Sequence, residues 1–239
     1  MAHSSKETLS LAWCDGGMVD GRFMDGVLLI TIVAKKLGIN IVNKMRVQGN
    51  QIGRQRQVLI ENWADNDKSD WLLWVDSDIV LTPEAVKLVW DSADKISKPV
   101  VSGTYFVSKE NEQSLMKPFP ALFNEGSHKN ELEIIHPLPS NKLIKIDCAG
   151  FGFLLMHRSV IEKMRSLTNG DSLFAEEAGI GDNFVSEDIV FFRKLKQAGI
   201  DLYAHTGAVV QHMKRFSVDI NYYNLYWNGL SKELFTKGQ

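Results

Sequence analysis

Five apolar residues in succession, Trp71-Leu72-Leu73-Trp74-Val75, run directly into Asp76-Ser77-Asp78. A stretch that is apolar on both of its alternating faces predicts a strand covered on both sides, as the central strands of parallel sheets are. Such a strand delivers whatever follows it to the carboxyl edge of the sheet, where open α/β folds bind ligands. Two carboxylates at that edge are costly unless a cation or a donor-rich ligand compensates them. Leu81-Thr82-Pro83-Glu84 reads as a helix start, with Thr82 as N-cap and Pro83 at the first position. The acids therefore lie on a tight strand-to-helix connection, a geometry suited to a metal.

The surrounding pattern extends this into a fold. Strands are expected at Thr8–Trp13, Ile39–Val42 and Val100–Phe106, and helices at Val27–Leu37, Ile52–Trp63 and Pro83–Lys95. That alternation argues for an α/β fold whose central, mostly parallel sheet is flanked by helices. The second half reads differently. Short strands at Ala121–Asn124, Glu131–Ile135, Leu143–Asp147 and Phe153–Met156 suggest a smaller mixed β part. A helix over Ser159–Arg165, a long polar stretch from 168 to 185, a helix over Glu187–Ala198 and a strand at Ala208–Val210 follow. The expected division is a flexible 1–7, a domain over 8–215 split at 106/107 into a nucleotide-binding half and an acceptor and metal half, and an aromatic helical segment over 216–239.

With 239 residues the chain can bury one substantial core. A net charge of -2 gives no footing for non-specific nucleic-acid binding. Two cysteines, Cys14 and Cys148, make neither a disulfide framework nor a zinc pattern, which points to a reducing compartment such as the cytoplasm. No apolar run is long enough to span a bilayer.

A second acidic cluster, Ser186-Glu187-Asp188, opens the last helix. Phe191, Phe192 and Leu195 follow Asp188 at helical spacing, so Asp188 is expected to point inward, while Glu187 suits the helix dipole. His212 ends the apolar run Ala208-Val209-Val210, and with Asp76 and Asp78 it makes an oxygen/nitrogen set for Mg²⁺ or Mn²⁺. Strand Leu9–Trp13 exits into Cys14-Asp15-Gly16-Gly17. Arg54 and Arg56 open a helix against its dipole, which suggests an anion nearby or an exposed pair. Gly150-Phe151-Gly152-Phe153 marks either a close approach by a ligand or a tight packing joint.

Taken in order over residues 8 to 214, these segments resemble the GT-A nucleotide-sugar glycosyltransferases, most of all the small enzymes of phages, large DNA viruses and bacteria. Leu72-Leu73-Trp74-Val75-Asp76-Ser77-Asp78 matches the family's Asp-x-Asp motif, and Arg54-Gln55-Arg56, Gly150-Phe151-Gly152-Phe153, Ser186-Glu187-Asp188 and His212 follow its order. The resemblance implies a metal-dependent transferase that takes a nucleotide-sugar, UDP-sugars being favoured, and a glycan or other hydroxyl acceptor. It implies that Asp76, Asp78 and His212 hold Mn²⁺ or Mg²⁺. Trp13, Asp15, Asp76, Ser77 and Asp78, with Arg54 or Arg56, would line the donor, and Gly150, Phe151 and Gly152 would face the acceptor. Asp188 would be the catalytic base of an inverting enzyme, with Glu187 beside it. Gln57 departs from the asparagine usual in the related small enzymes.

Two alternatives compete. Asp76-x-Asp78 can be aligned with the first motif of haloacid-dehalogenase-type phosphatases, with Gly181-Asp182 and Asp188 as a near match to the last. That motif normally lies on the first strand, whereas a strand–helix block precedes it here. A non-catalytic sugar-binding protein is the other, with Tyr222, Tyr223, Tyr226 and Trp227 to stack on sugar rings.

Overall fold

The computed structural model describes residues 7–108, 118–128, 130–177, 184–214 and 220. The expected aromatic segment over 216–239 therefore lies, Ile220 apart, outside the described residues, as do residues 1–6 and Gly181-Asp182. The first half runs β1 (Thr8–Asp15), α1 (Gly21–Val33), β2 (Asn40–Gln48), α2 (Ile52–Asn66), β3 (Trp71–Val75), β4 (Ile79–Val80), α3 (Pro83–Ser92) and β5 (Val100–Thr104). Short strands follow: β6 (Phe106–Ser108), β7 (Pro118–Pro120), β8 (Leu122–Glu125), β9 (Leu132–Ile134), β10 (Leu143–Ile146) and β11 (Cys148–Ala149). The chain continues with β12 (Phe153–His157), α4 (Arg158–Thr168), α5 (Glu187–Gln197), β13 (Leu202–Val209) and β14 (Gln211–His212).

Seven strands form the central sheet in the order β10-β13-β5-β12-β3-β1-β2. β1 is parallel to β2 and β3, and β5 is parallel to β13. β12 runs against both β3 and β5, and β10 runs against β13. The expected mostly parallel sheet is present, with one antiparallel strand wedged into its middle. The apolar run of β3 has its predicted cause. Leu72 and Trp74 join the apolar cluster that also takes in residues of α2, α4 and α5. Trp71, Leu73 and Val75 join the opposite cluster, with residues of α1 and α3.

Local chemistry sets the ends of the elements. Thr82 Oγ1 accepts from the Ala85 amide and Pro83 opens α3, as expected. α3 stops at Ser92, short of the predicted Lys95, because the Asp94 carboxylate draws the Ile96 and Ser97 amides into a turn. The expected single strand Val100–Phe106 is broken at Tyr105, and β6 belongs to a separate two-stranded sheet with β7. β13 begins six residues before the predicted strand. Its polar Thr206 is matched by Lys142, which donates its amide to the Thr206 hydroxyl and accepts from the Thr206 amide.

Gly26 lets α1 lie against the chain that follows the acids: a Cβ there would sit 2.9 Å from the Leu81 nitrogen. The α2 C-terminus is closed from a distance. Arg158 donates to the carbonyls of Trp63, Ala64, Asp67 and Ser69 while its guanidinium lies over the Trp63 ring. Among the described residues no helix is long and apolar enough to cross a membrane.

Candidate active site

β1 and β3 are neighbours, and the chain leaves β1 through α1 on one face of the sheet and enters β3 through α2 on the other. The carboxyl ends of β1 and β3 thus flank a topological switch point, where α/β sheets open a crevice for a ligand. Asp15 and Asp76 stand at those two ends.

Arg56 organises the first group of acids. It occupies the buried side of α2 with Leu59, Ile60 and Trp63, its side chain 5% exposed, and its guanidinium lies 4.9 Å from the Phe151 ring centre. Nη1 donates to Glu187 Oε1 at 2.6 Å, and Nη2 donates to both Asp76 oxygens at 3.1 and 3.3 Å. Burial works against its charge, but Asp76, Glu187 and Asp188 outweigh that and hold it protonated. Burial pushes the Glu187 carboxyl up, Arg56 pulls it back, and Asp188 adds to the rise.

The structure reverses the expected orientations of the two adjacent acids. Glu187 is the one turned into the protein, and Asp188 is half-buried at the mouth of α5. The Asp188 side chain accepts from the Ser186 hydroxyl and the Ile189 amide, both at Oδ1.

Asp78 meets His212 through the small antiparallel pairing of β4 with β14. His212 Nε2 lies 3.1 Å from Asp78 Oδ2, and His212 Nδ1 lies 2.9 Å from the Phe106 carbonyl, to which it must donate. A neutral His212 therefore turns an unprotonated Nε2 toward a carboxylate, which is unfavourable unless a proton or a cation lies between them. Lys214 Nζ stands 3.9 Å from the same oxygen. Burial raises the Asp78 carboxyl, yet the His212 hydrogen bond and the charges of His212 and Lys214 carry it below the ordinary range. Behind His212 stands Tyr105, its ring edge-on at 5.2 Å. Asp76 does not join this pair, because Arg56 holds it. Among the described residues no three His, Cys, Asp or Glu side chains converge as a metal group. Asp78 and His212 are the two that could hold a metal, with remaining ligands drawn from a substrate.

Asp15 is sealed. Its side chain is 0% exposed and accepts from Trp13 Nε1 at 3.1 Å, the Gly17 amide at 2.7 Å, and Arg46 Nε and Nη2 at 2.5 and 2.7 Å. The Arg46 fork, more than any other partner, lowers its pKa. Nothing in the local sequence of β2 marked Arg46, which lies on an edge strand of mixed exposure.

The two helix-opening arginines part ways. Arg54 is exposed and lines a groove of about 670 Å³ between the start of α2 and residues 172–176, while Arg56 is buried. Gln57 has work of its own: its side-chain oxygen accepts from the Leu173 amide and the Ser172 hydroxyl, fixing that segment to α2. Ser77 meets α1 through its backbone, its carbonyl accepting from the Asp20 amide.

Gly150, Phe151 and Gly152, expected on the acceptor side, are all buried. A Cβ on Gly150 would come 1.9 Å from the Tyr105 hydroxyl, and one on Gly152 would come 2.9 Å from that ring. Phe151 packs under Arg56 and against Trp74, Phe174 and Phe191. The loop is a packing joint, the second of the two readings its glycines allowed.

No protein-family model matches the sequence, and no curated protein matches it either. Among solved structures, A197 from STIV superposes over 87% of this chain and 86% of its own, with a TM-score of 0.51 and 16% identity. GalNAc-T7, solved with UDP, GalNAc and Mn²⁺, superposes over 88% of this chain with a TM-score of 0.58 and 12% identity. This chain spans only 44% of the GalNAc-T7 chain. At such identities the likeness is one of fold, and that fold is the GT-A fold of the nucleotide-sugar glycosyltransferases.

Proposed function

We propose that this chain is a metal-dependent glycosyltransferase, moving a sugar from a nucleotide-sugar donor, with UDP-sugars favoured, to a hydroxyl of a glycan or other polyol. One observation carries the reading. Asp78 and His212, 134 positions apart, meet at 3.1 Å beside the acids that Arg56 gathers, and the second nitrogen of His212 is already committed to Phe106. A carboxylate oxygen and an imidazole nitrogen suit Mn²⁺ or Mg²⁺, which complete their shells with substrate phosphates. Such an ion would supply Lewis-acid stabilisation of the leaving diphosphate. That GalNAc-T7 was solved with UDP and Mn²⁺ supports this choice of cofactor and donor.

The protein's own groups orient the reactants. The Phe106 carbonyl fixes the tautomer of His212, and the Tyr105 ring fixes its plane. Arg56 holds Asp76 at the crevice, where its part-exposed carboxylate is placed for a ribose hydroxyl. Among the described residues Asp188 Oδ2 has no hydrogen-bond donor, so it is the oxygen placed to take the proton of an attacking hydroxyl in an inverting reaction. Glu187, buried and paired with Arg56, belongs to the frame. The phosphatase alternative loses ground because Asp76 follows the third strand in chain order, not the first.

Calorimetric titration of UDP and GDP, with and without Mn²⁺, tests this on wild type and Asp78→Ala. Metal-dependent binding of one nucleotide, lost in the variant, is the expected result. Failure of both nucleotides to bind wild type under any condition would end the proposal.

A further inference from the structure

We propose that Arg46, clamped edge-on by Asp15, is the residue that reads the donor's base, and that it selects bases presenting a ring carbonyl. The inference rests on the donor being a nucleoside diphosphate sugar.

Three observations lead to it. First, Asp15 has no capacity left for a ligand: four donors from Trp13, Gly17 and Arg46 occupy its two oxygens. Sealing a carboxylate that completely is a large investment for an ornamental ion pair, since exposed pairs contribute little. What the arrangement produces is a guanidinium held in one orientation. Second, only the Nε/Nη2 edge of Arg46 is spent on Asp15. The side chain remains 43% exposed, and among the described residues Nη1 has no acceptor, so its two N–H groups are presented at a fixed place.

Third, the sheet order puts this donor at the correct end of a nucleotide. Along the carboxyl edge lie β2 with Arg46, β1 with Asp15, β3 with Asp76, and then the β4/β14 pair with Asp78 and His212. β2 stands two strand spacings, about 10 Å, from β3, and Asp78 follows on the far side. A diphosphate anchored at Asp78 and His212, with its ribose at Asp76, extends its base over the β1/β2 end. A guanidinium donates and never accepts. It therefore pairs with O2 or O4 of uracil, with O2 of cytosine or with O6 of guanine, whereas adenine has no carbonyl to offer and turns an amino group toward it, donor to donor.

The test is a set of dissociation constants for UDP, GDP, CDP and ADP in saturating Mn²⁺, measured on wild type, Arg46→Met, Arg46→Lys and Asp15→Asn. Wild type should bind UDP or GDP about tenfold or more tighter than ADP, the equivalent of one charge-assisted hydrogen bond, with CDP on the side of the carbonyl bases. Arg46→Met should erase that preference while leaving ADP binding within about twofold. Arg46→Lys keeps the charge but loses the fork, and should lose most of the preference, as should Asp15→Asn. An equal loss across all four nucleotides would assign Arg46 to phosphate or to structure, and an intact preference would remove it from the site; either result overturns the proposal. If no nucleotide binds wild type, the donor reading fails first and takes this one with it. If UDP or GDP binds selectively but indifferently to residue 46, only the Arg46 assignment falls. Arg46→Lys keeps the experiment readable should the methionine variant not fold.

Discussion

Replacing Arg56 by methionine keeps an unbranched side chain over Phe151 but removes the counter-charge from two carboxylates. Glu187, 10% exposed and 2.6 Å from the guanidinium, carries most of the cost. Stripping one partner from a buried pair typically costs about 3–5 kcal/mol. We take the lower end, because the Glu187 side chain is not wholly closed off from solvent. Asp76 is 34% exposed, so solvent screens its share to below about 1 kcal/mol. A total loss of about 3 kcal/mol corresponds, in a chain of this size, to a fall in Tm of about 6–12 °C.

The assay is thermal denaturation followed by circular dichroism at pH 8 and pH 5.5 for wild type, Arg56→Met, Glu187→Gln and the double variant. Without Arg56, Glu187 loses the charge that pulls its pKa back toward the ordinary 4.5, so its folded-state pKa rises further. A raised carboxyl binds protons in the folded state first. The deficit of Arg56→Met should therefore shrink as the pH falls through that raised value, and the double variant should recover much of it at pH 8. A loss under about 1 kcal/mol, or single-variant effects that simply add, would show that the three residues are not one unit.

Gly150→Ala would place a Cβ 1.9 Å from the Tyr105 hydroxyl, and relief requires moving a ring that touches His212. A stability loss of about 1–3 kcal/mol is expected, together with weaker Mn²⁺ affinity in a nucleotide titration; unchanged affinity would uncouple the loop from the Asp78/His212 pair. His157 is held below its ordinary pKa of 6.5, chiefly by burial. The unfolded chain therefore binds the extra proton first, so this contribution is present above pH 6.5 and lost as pH falls below it. The slope of Tm against pH between 6.5 and 5 should flatten in His157→Gln, and an unchanged slope would refute the assignment.

Much of the frame was legible because its causes are local. An apolar run covered on both faces and a Thr-Pro helix start are decided by the residues themselves, and β3 and the start of α3 lie where those signals put them. Which of Arg54 and Arg56 turns inward was left open, although the spacing carries a signal: Arg56 precedes Leu59, Ile60 and Trp63 and so shares the buried stripe of α2, while Arg54 falls with Val58 and Glu61 on the exposed side. The Glu187/Asp188 order was not legible. Ile189 to Phe192 are all buried, so no stripe distinguishes one acid from the next. Arg46 and Tyr105 escaped for another reason. Each has its meaning from partners far along the chain, Asp15 for one and Gly150, Gly152 and His212 for the other.

The antiparallel course of β12 accounts for how these distant pieces come to meet. A strand that runs against β3 and β5 begins where its neighbours end, so the residues entering it arrive at the acid edge. Gly152, one residue before β12, accepts from the Asp76 amide through its carbonyl and donates its own amide to the Tyr105 hydroxyl. Phe151 lies beneath Arg56. One short loop thus touches Asp76 directly, supports Arg56 and Glu187 from below, and reaches Asp78 through Tyr105 and His212. Were β12 parallel to its neighbours, His157 would stand at this edge and the glycines at the opposite one. The loop needs glycines because it must close around the Tyr105 ring, and that ring packs edge-on against His212. The spacing between the two acid centres is therefore a property of the sheet's topology, and substitutions at Gly150 or Gly152 should disturb both centres together, whereas those at Arg46 disturb neither.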